Sequence, residues 1–257
     1  MMAKLPSRRR QLQACVLFAL FTTLGCTEAQ KGNHDMSNSR FGSGEAALEA
    51  AILADDATGV ARTIAAGARV NAQDVQQVTP LMLAVDRLKL NAVTALLAAG
   101  AAPNAKAVDG TSAMTLAAQN YQRAPELIFA LIRAGGDPNS RRRDGDPIII
   151  SVINDRNCAY IRRMIAAGAD VNALTRNKEP LLIDAATGSD WDVVWCLLEL
   201  GAEYRQPSGP PDFNLSQILA GPMPSPDSPI YPFKVKVRDF LRAKGLPAPD
   251  LAGDLPR

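Results

Sequence analysis

One histidine and four cysteines are the side chains from which a catalytic or metal site in this 257-residue chain would most readily be built. His34 is the sole imidazole and lies in a polar stretch without periodicity, Thr27 to Ser43. A Ser-His-Asp triad or a His-based zinc site therefore has no folded element to hold its ring. No glycine-rich phosphate loop, dinucleotide fingerprint, nucleophile elbow or Cys pair at metal-ligand spacing occurs. Asp55 and Asp56 are adjacent carboxylates. Neighbouring positions on a helix point apart, however, and their place between two helical patterns suits an N-cap. The residues predict no enzyme, no cofactor, no metal site and no small-molecule substrate.

Charge narrows the partners. The chain carries 28 Lys and Arg against 26 Asp and Glu, but Lys4, Arg8, Arg9 and Arg10 belong to a leader segment that contains no acid. Without them the balance is 24 basic to 26 acidic residues. Phosphate backbones need clustered, uncompensated cations, so nucleic acid is not an expected partner. Aromatic residues make up only 5% of the chain, so a core must be built from Ala, Leu, Ile and Val.

The basic stretch ending at Arg10 is followed by the apolar run Ala14-Cys-Val-Leu-Phe-Ala-Leu-Phe21 and then Thr22-Thr-Leu-Gly-Cys26. This is the layout of a secretory signal peptide over residues 1–25. The uncharged run is well short of the ~20 residues a spanning helix needs. Its end resembles a bacterial lipoprotein lipobox, with Thr23 where Leu is usual, which implies lipidation at Cys26. Thr27 in place of Asp resembles the signal for the outer membrane. The expectation is an exported lipoprotein facing the periplasm and held to the membrane by its lipid; ordinary cleavage would leave it soluble there. Residues 26–43 read as a flexible tether.

Beyond the tether the chain repeats. Gly67, Gly100, Gly135, Gly168 and Gly201 are separated by 33, 35, 33 and 33 residues, and Asn71, Asn104, Asn139 and Asn172 lie four past the first four. Apolar residues recur seven and three positions before each Gly, on one helical face. The Gly suits a helix C-cap, where a left-handed backbone costs it no side-chain clash. Thr79-Pro80-Leu81 resembles the helix-opening signature of the ankyrin-repeat family, with later variants at Ser112-Ala113-Met114, Asp146-Pro147-Ile148 and Glu179-Pro180-Leu181. The signature His is replaced by Met82, Thr115, Ile149 and Leu182, and the shifted prolines point to small insertions between helices.

The resemblance spans residues 44–205 in five copies. It implies an all-α solenoid of helix-turn-helix repeats with hairpin loops, in which only stacking buries the apolar faces. Residues 206–257 are expected to form a degenerate capping unit and tail, with Val235, Val237, Phe240 and Leu241 at helical spacing. The family usually binds other proteins through hairpin tips and first helices. Here the tips are Ala105 to Asp109, Ser140 to Asp144 and Leu174 to Lys178. Lys106, Val108, Arg141, Arg142, Arg143, Arg176, Asn177 and Lys178 are thus the candidate partner-binding residues, a local basic ridge able to steer an acidic partner. The implied function is a protein-protein interaction module, within which an immunity or inhibitor protein against a toxin or lipase effector is favoured. An envelope scaffold without catalytic activity is the alternative.

Two cysteines remain in the repeats. Counted from each repeat's Gly, Cys158 is at minus ten and Cys196 at minus five. That is about 7.5 Å along neighbouring helix axes, to which an interaxial gap of ~8–10 Å is added. The count predicts free, partly buried thiols. Trp191 shares the minus-ten position and is expected to pack, whereas Trp195 falls outside the regular core set.

Overall fold

The computed structural model describes residues 39–205, 214–221 and 224–250. The leader, Cys26 and the tether as far as Asn38 lie outside the described residues. Six helical pairs follow in order: α1 (Ala46–Leu53) with α2 (Ala57–Ala65), α3 (Pro80–Asp86) with α4 (Leu90–Ala98), α5 (Ala113–Gln119) with α6 (Glu126–Arg133), α7 (Ile149–Ile153) with α8 (Cys158–Ala166), α9 (Leu181–Thr187) with α10 (Trp191–Glu199), and α11 (Leu215–Leu219) with α12 (Tyr231–Ala243). First helices stack on first helices, α1 on α3, α3 on α5 and α5 on α7, and second helices on second, α2 on α4, α4 on α6 and α8 on α10. The last pair closes the series, α11 against α9 and α12 against α10. Among the described residues the only extended pairing is a single bridge at the base of three hairpins, Lys106 with Ser112, Arg141 with Pro147 and Leu174 with Pro180.

The recurring Gly and Asn have separate physical jobs. Gly67, Gly100, Gly135, Gly168 and Gly201 all have φ between 85° and 103°, just past the second helix of each pair. The backbone there is left-handed, a conformation that strains any residue carrying a side chain. Each Asn reaches the next repeat. Asn104 Nδ2 donates to the carbonyl of Gly135 at 2.8 Å while its Oδ1 accepts from the amide of Asp137 at 2.8 Å. Asn71 makes the same two bonds to Gly100 and Ala102, Asn139 makes them to Gly168 and Asp170, and Asn172 accepts from Glu203. The period seen in the sequence is thus a ladder of side-chain rungs, one per junction.

Burial supplies most of the rest. Leu81, Met82, Leu83, Ala84 and Val85 of α3 are all buried, and so are Val93 and Leu96 of α4. Small residues let first helices approach, while Leu and Ile fill the space between pairs. Asp56 caps its own helix by accepting from the amide of Gly59, and Asp55 reaches across to accept from the amide of Ala92, next to the start of α4. Both carboxylates are spent on helix ends, one in each of two repeats. Trp191 is buried, and Trp195 meets Phe240 of α12 edge-on with ring centroids 6.4 Å apart, so it serves the closing pair.

Two expectations are corrected. Cys158 and Cys196 form a disulfide, with Cα atoms 6.0 Å apart. The count measured the gap between helix axes, but Cα atoms stand about 2.3 Å off each axis, so two facing residues lie only about 3–5 Å apart across it. A separation of 6.0 Å then leaves an axial offset of roughly 3–5 Å, so α8 and α10 do not run in the register the count assumed.

The prolines also stand elsewhere than expected. Hairpin amides of Asp74, Ala107, Arg142 and Thr175 donate to the carbonyls of Val78, Thr111, Asp146 and Glu179. Thr79, Ser112, Pro147 and Pro180 are therefore equivalent. Pro180 is the N-cap residue of α9, whereas Pro80 is inside α3. Neither position requires an intrahelical amide, so a proline alone does not set the register. Ile150 and Ile183, not Ile149 and Leu182, stand where Met82 and Thr115 do. Only the third repeat carries an insertion between its helices, the turn through Asn120 to Ala124 that buries Tyr121.

Candidate interaction surface

Four hairpins share one construction. In each, a residue at the fourth tip position adopts positive φ, Gln77, Gly110, Gly145 and Lys178, and its amide closes the turn onto the residue three before it. That leaves the second tip position pointing away from the stack: Val75, Val108, Arg143 and Arg176 in order. Val75 is 93% exposed and Val108 70%. Apolar side chains so far from the core gain nothing from folding, and singly they would need no explanation. Val108 lines a groove of about 560 Å³ whose floor includes Val78, Met82, Leu83 and Leu116 and whose rim carries Arg40 and Arg143, and Gln76, next in the chain to Val75, lines it as well. The rim cations are matched, Arg40 by Asp74 at 2.6 Å and Arg143 by Asp109 at 3.0 Å.

The basic residues of the tips divide by partner. The guanidinium of Arg141 donates to the carbonyls of Gly145 and Leu174, tying its hairpin to the next. Arg142 pairs with Asp144 and Asp146 within its own loop. The backbone amide of Arg176 donates to Asp146 at 2.7 Å, and its side chain lies 3.9 Å from Asp144. Lys106, Asn177 and Lys178 are exposed at the tips beside them. The amide and hydroxyl of Thr111 hold the Asp109 carboxyl below its ordinary range. Burial lifts Asp144, but the amide of Asp146 and the Arg142 guanidinium outweigh it and leave the carboxyl low. Arg142, Arg143 and Arg176 thus meet the acids Asp109, Asp144 and Asp146, while Arg141 is held by carbonyl oxygens and Lys106 and Lys178 stand exposed.

No family model matches this sequence, and no curated protein matches it. Among solved structures it is similar to the ankyrin repeat domain of Bcl-3, described as a unique member of the IkappaB protein family. The likeness has a TM-score of 0.57 at 22% sequence identity and covers 68% of this chain and 81% of that one. The fold is an ankyrin-repeat solenoid. Hairpins, paired helices and the Gly at each second-helix end are the ankyrin features that the stacked pairs already display.

On this ankyrin stack the groove lies on the face built from hairpins and first helices. Of the residues singled out in the sequence, Val108 and Arg143 line it. Val78, Met82, Leu83 and Leu116 were not among the candidate binding residues; Val75, one 33-residue period before Val108, was a further tip position that the spacing could have flagged. Also missed were Glu179 and Asp184. Burial raises the Glu179 carboxyl, with Asp184 adding to it; burial raises Asp184, with Asp146 and Asp190 adding to that. The sequence cue was a carboxylate interrupting Leu181-Leu-Ile-Asp-Ala-Ala186. Among the described residues no group of His, Cys, Asp and Glu is arranged to hold a metal ion, and no helix is long and apolar enough to cross a membrane.

Proposed function

We propose that this chain is a protein-binding module whose recognition surface is the hairpin and first-helix face of the second to fifth repeats. The observation that carries the reading is an open groove with an apolar floor, lined by the exposed tip valine Val108, with a second exposed valine, Val75, at the equivalent tip of the preceding hairpin. A groove of this size with an aliphatic floor and a polar rim suits an anchoring side chain of another protein. Its partner is bound outside the cytoplasm. Export is supported by the signal-peptide layout and by Cys26 at the end of a lipobox-like sequence. The Cys158–Cys196 disulfide supports it independently, because such bonds persist in oxidising compartments.

The finer reading is a periplasm-facing lipoprotein, anchored in the outer membrane through Cys26, that acts as an immunity or inhibitor protein against a toxin or lipase effector. Affinity capture from envelope extract tests the surface: the chain is compared with a Val75→Ser/Val108→Ser variant and with an Arg141→Ser/Arg142→Ser/Arg143→Ser variant. A partner retained by the ridge variant and lost by the valine variant supports the groove. A partner retained by both moves the site elsewhere. For the immunity reading, cells lacking the gene should become sensitive to the captured effector, and unchanged sensitivity would sink it.

A further inference from the structure

The positions that floor the groove in the second and third repeats recur in the fourth and fifth, buried at Asp146 and Ser151 and half-buried at Glu179 and Asp184, and their chemistry changes on the way. Hairpin register makes Leu83 and Leu116 equivalent to Ser151 and Asp184, and Val78 and Thr111 equivalent to Asp146 and Glu179. Asp146 is answered by Arg142 and by the amide of Arg176. Glu179 and Asp184 are half-buried, and among the described residues neither carboxylate has a hydrogen bond or an ion pair; burial and neighbouring acids raise both. Carboxylates partly withdrawn from water cost free energy unless a cation or donor meets them. The strip of equivalent positions is thus apolar at one end and short of positive charge at the other.

We propose that the partner lays an extended peptide segment along this strip, with an aliphatic or aromatic side chain in the groove at Val108 and Leu116 and a lysine or arginine opposite Glu179 and Asp184. The inference rests on the protein-binding reading of the same face and adds the chemistry and spacing of the occupant. From the groove between α3 and α5 to α9 is two and a half helix-to-helix steps, about 20–25 Å at ~8–10 Å per step. An extended chain rises about 3.3 Å per residue, so the two contacts are set roughly six to eight residues apart. The groove itself selects shape more than charge, because both rim arginines are already paired. Charge selection falls to the far end, where among the described residues neither acid is ion-paired.

The test is selection from a displayed library of random twelve-residue peptides against the chain purified as the cell processes it. Enriched peptides should share an apolar residue and a Lys or Arg at that spacing. Changing the peptide cation to Ala and changing Asp184→Asn should each weaken binding about tenfold, and the two together little more than either alone. Val108→Ser should be coupled in the same way to the apolar position. Asp184→Asn and Val108→Ser must keep the helical circular dichroism spectrum of the parent. Enriched peptides without a shared cation, or insensitive to both Asp184→Asn and Glu179→Gln, overturn the proposal. If no peptide is enriched while a captured protein still depends on Val75 and Val108, the extended segment is refuted and the interaction surface stands. If capture is also indifferent to those valines, the proposed function falls with it.

Discussion

Reducing the Cys158–Cys196 bond changes no residue and fills or empties no cavity, so it isolates what one covalent link between the fourth and fifth repeats contributes. The cysteines are 38 residues apart. Chain-entropy arguments put the entropy removed from the unfolded state by such a loop at about 13 cal/mol/K, or about 4 kcal/mol at 25 °C. For a domain of this size a loss of 1 kcal/mol lowers the melting temperature by roughly 2–4 °C, so reduction should lower it by about 8–16 °C. Because ankyrin repeats interact with their neighbours only, the loss should be concentrated at the C-terminal end. Hydrogen exchange should accelerate in α8, α9 and α10 more than in α1 to α4. The assay is thermal unfolding followed by circular dichroism with and without reductant, beside a Cys158→Ala/Cys196→Ala variant that should be indifferent to it. Peptide mapping that finds both thiols free in protein recovered from the cell envelope would refute the link. A melting temperature shifted by less than about 2 °C would refute the energetic reasoning.

Three further outcomes follow from the described contacts. Asn104→Ala removes both bonds of one rung, each worth ~0.5–1.5 kcal/mol, so it should cost about 1–3 kcal/mol in denaturant unfolding and raise exchange at the Gly135 junction first. Asp184→Asn should raise stability by on the order of 1 kcal/mol at pH 7, since it removes a desolvated charge that has no ion pair among the described residues. The sign reverses the usual carboxylate case. A carboxyl raised by burial destabilises the fold while ionised, so the gain should shrink as pH falls through the raised folded value and vanish below the ordinary aspartate range. Melting temperatures of the two proteins across pH 3–8 check this, and a gain that persists at pH 3 would assign it to packing instead. Tyr121→Phe should be neutral or stabilising by up to about 1 kcal/mol, because the buried hydroxyl has no hydrogen-bond partner and burial holds its proton far above the ordinary tyrosine value; a clear loss in thermal unfolding would contradict that.

What could be read from the sequence was whatever the backbone demands once per repeat. Gly135 must take positive φ and Asn104 must bridge to the next repeat, so both recur at the period and both were visible. Proline makes no such demand: Pro80 and Pro180 occupy different helical positions, and reading them as equivalent displaced the register by one residue. Charge was legible as composition and not as pairing. Arg143 meets Asp109 and Arg156 meets Asp192, partners that lie 34 and 36 residues away in the neighbouring repeat. A run of arginines in one loop therefore looked like a ridge of free cations. The disulfide was missed for a related reason, since the offset between α8 and α10 depends on how two repeats settle against each other. The groove was half visible, through Val108, but its floor belongs to first helices whose residues read simply as core.

The asparagine rungs also give the stack a mechanical character. Each runs from one hairpin to the helix end of the following repeat, so tension applied at the two ends passes through the junctions in series, and the weakest yields while its neighbours hold. A freed repeat of 33 residues pays out about 110 Å of extended chain. The sulfur bridge withholds the slack between Cys158 and Cys196 from that extension. Under load such a molecule lengthens in discrete steps, a shock absorber whose last step is locked until a reductant opens it.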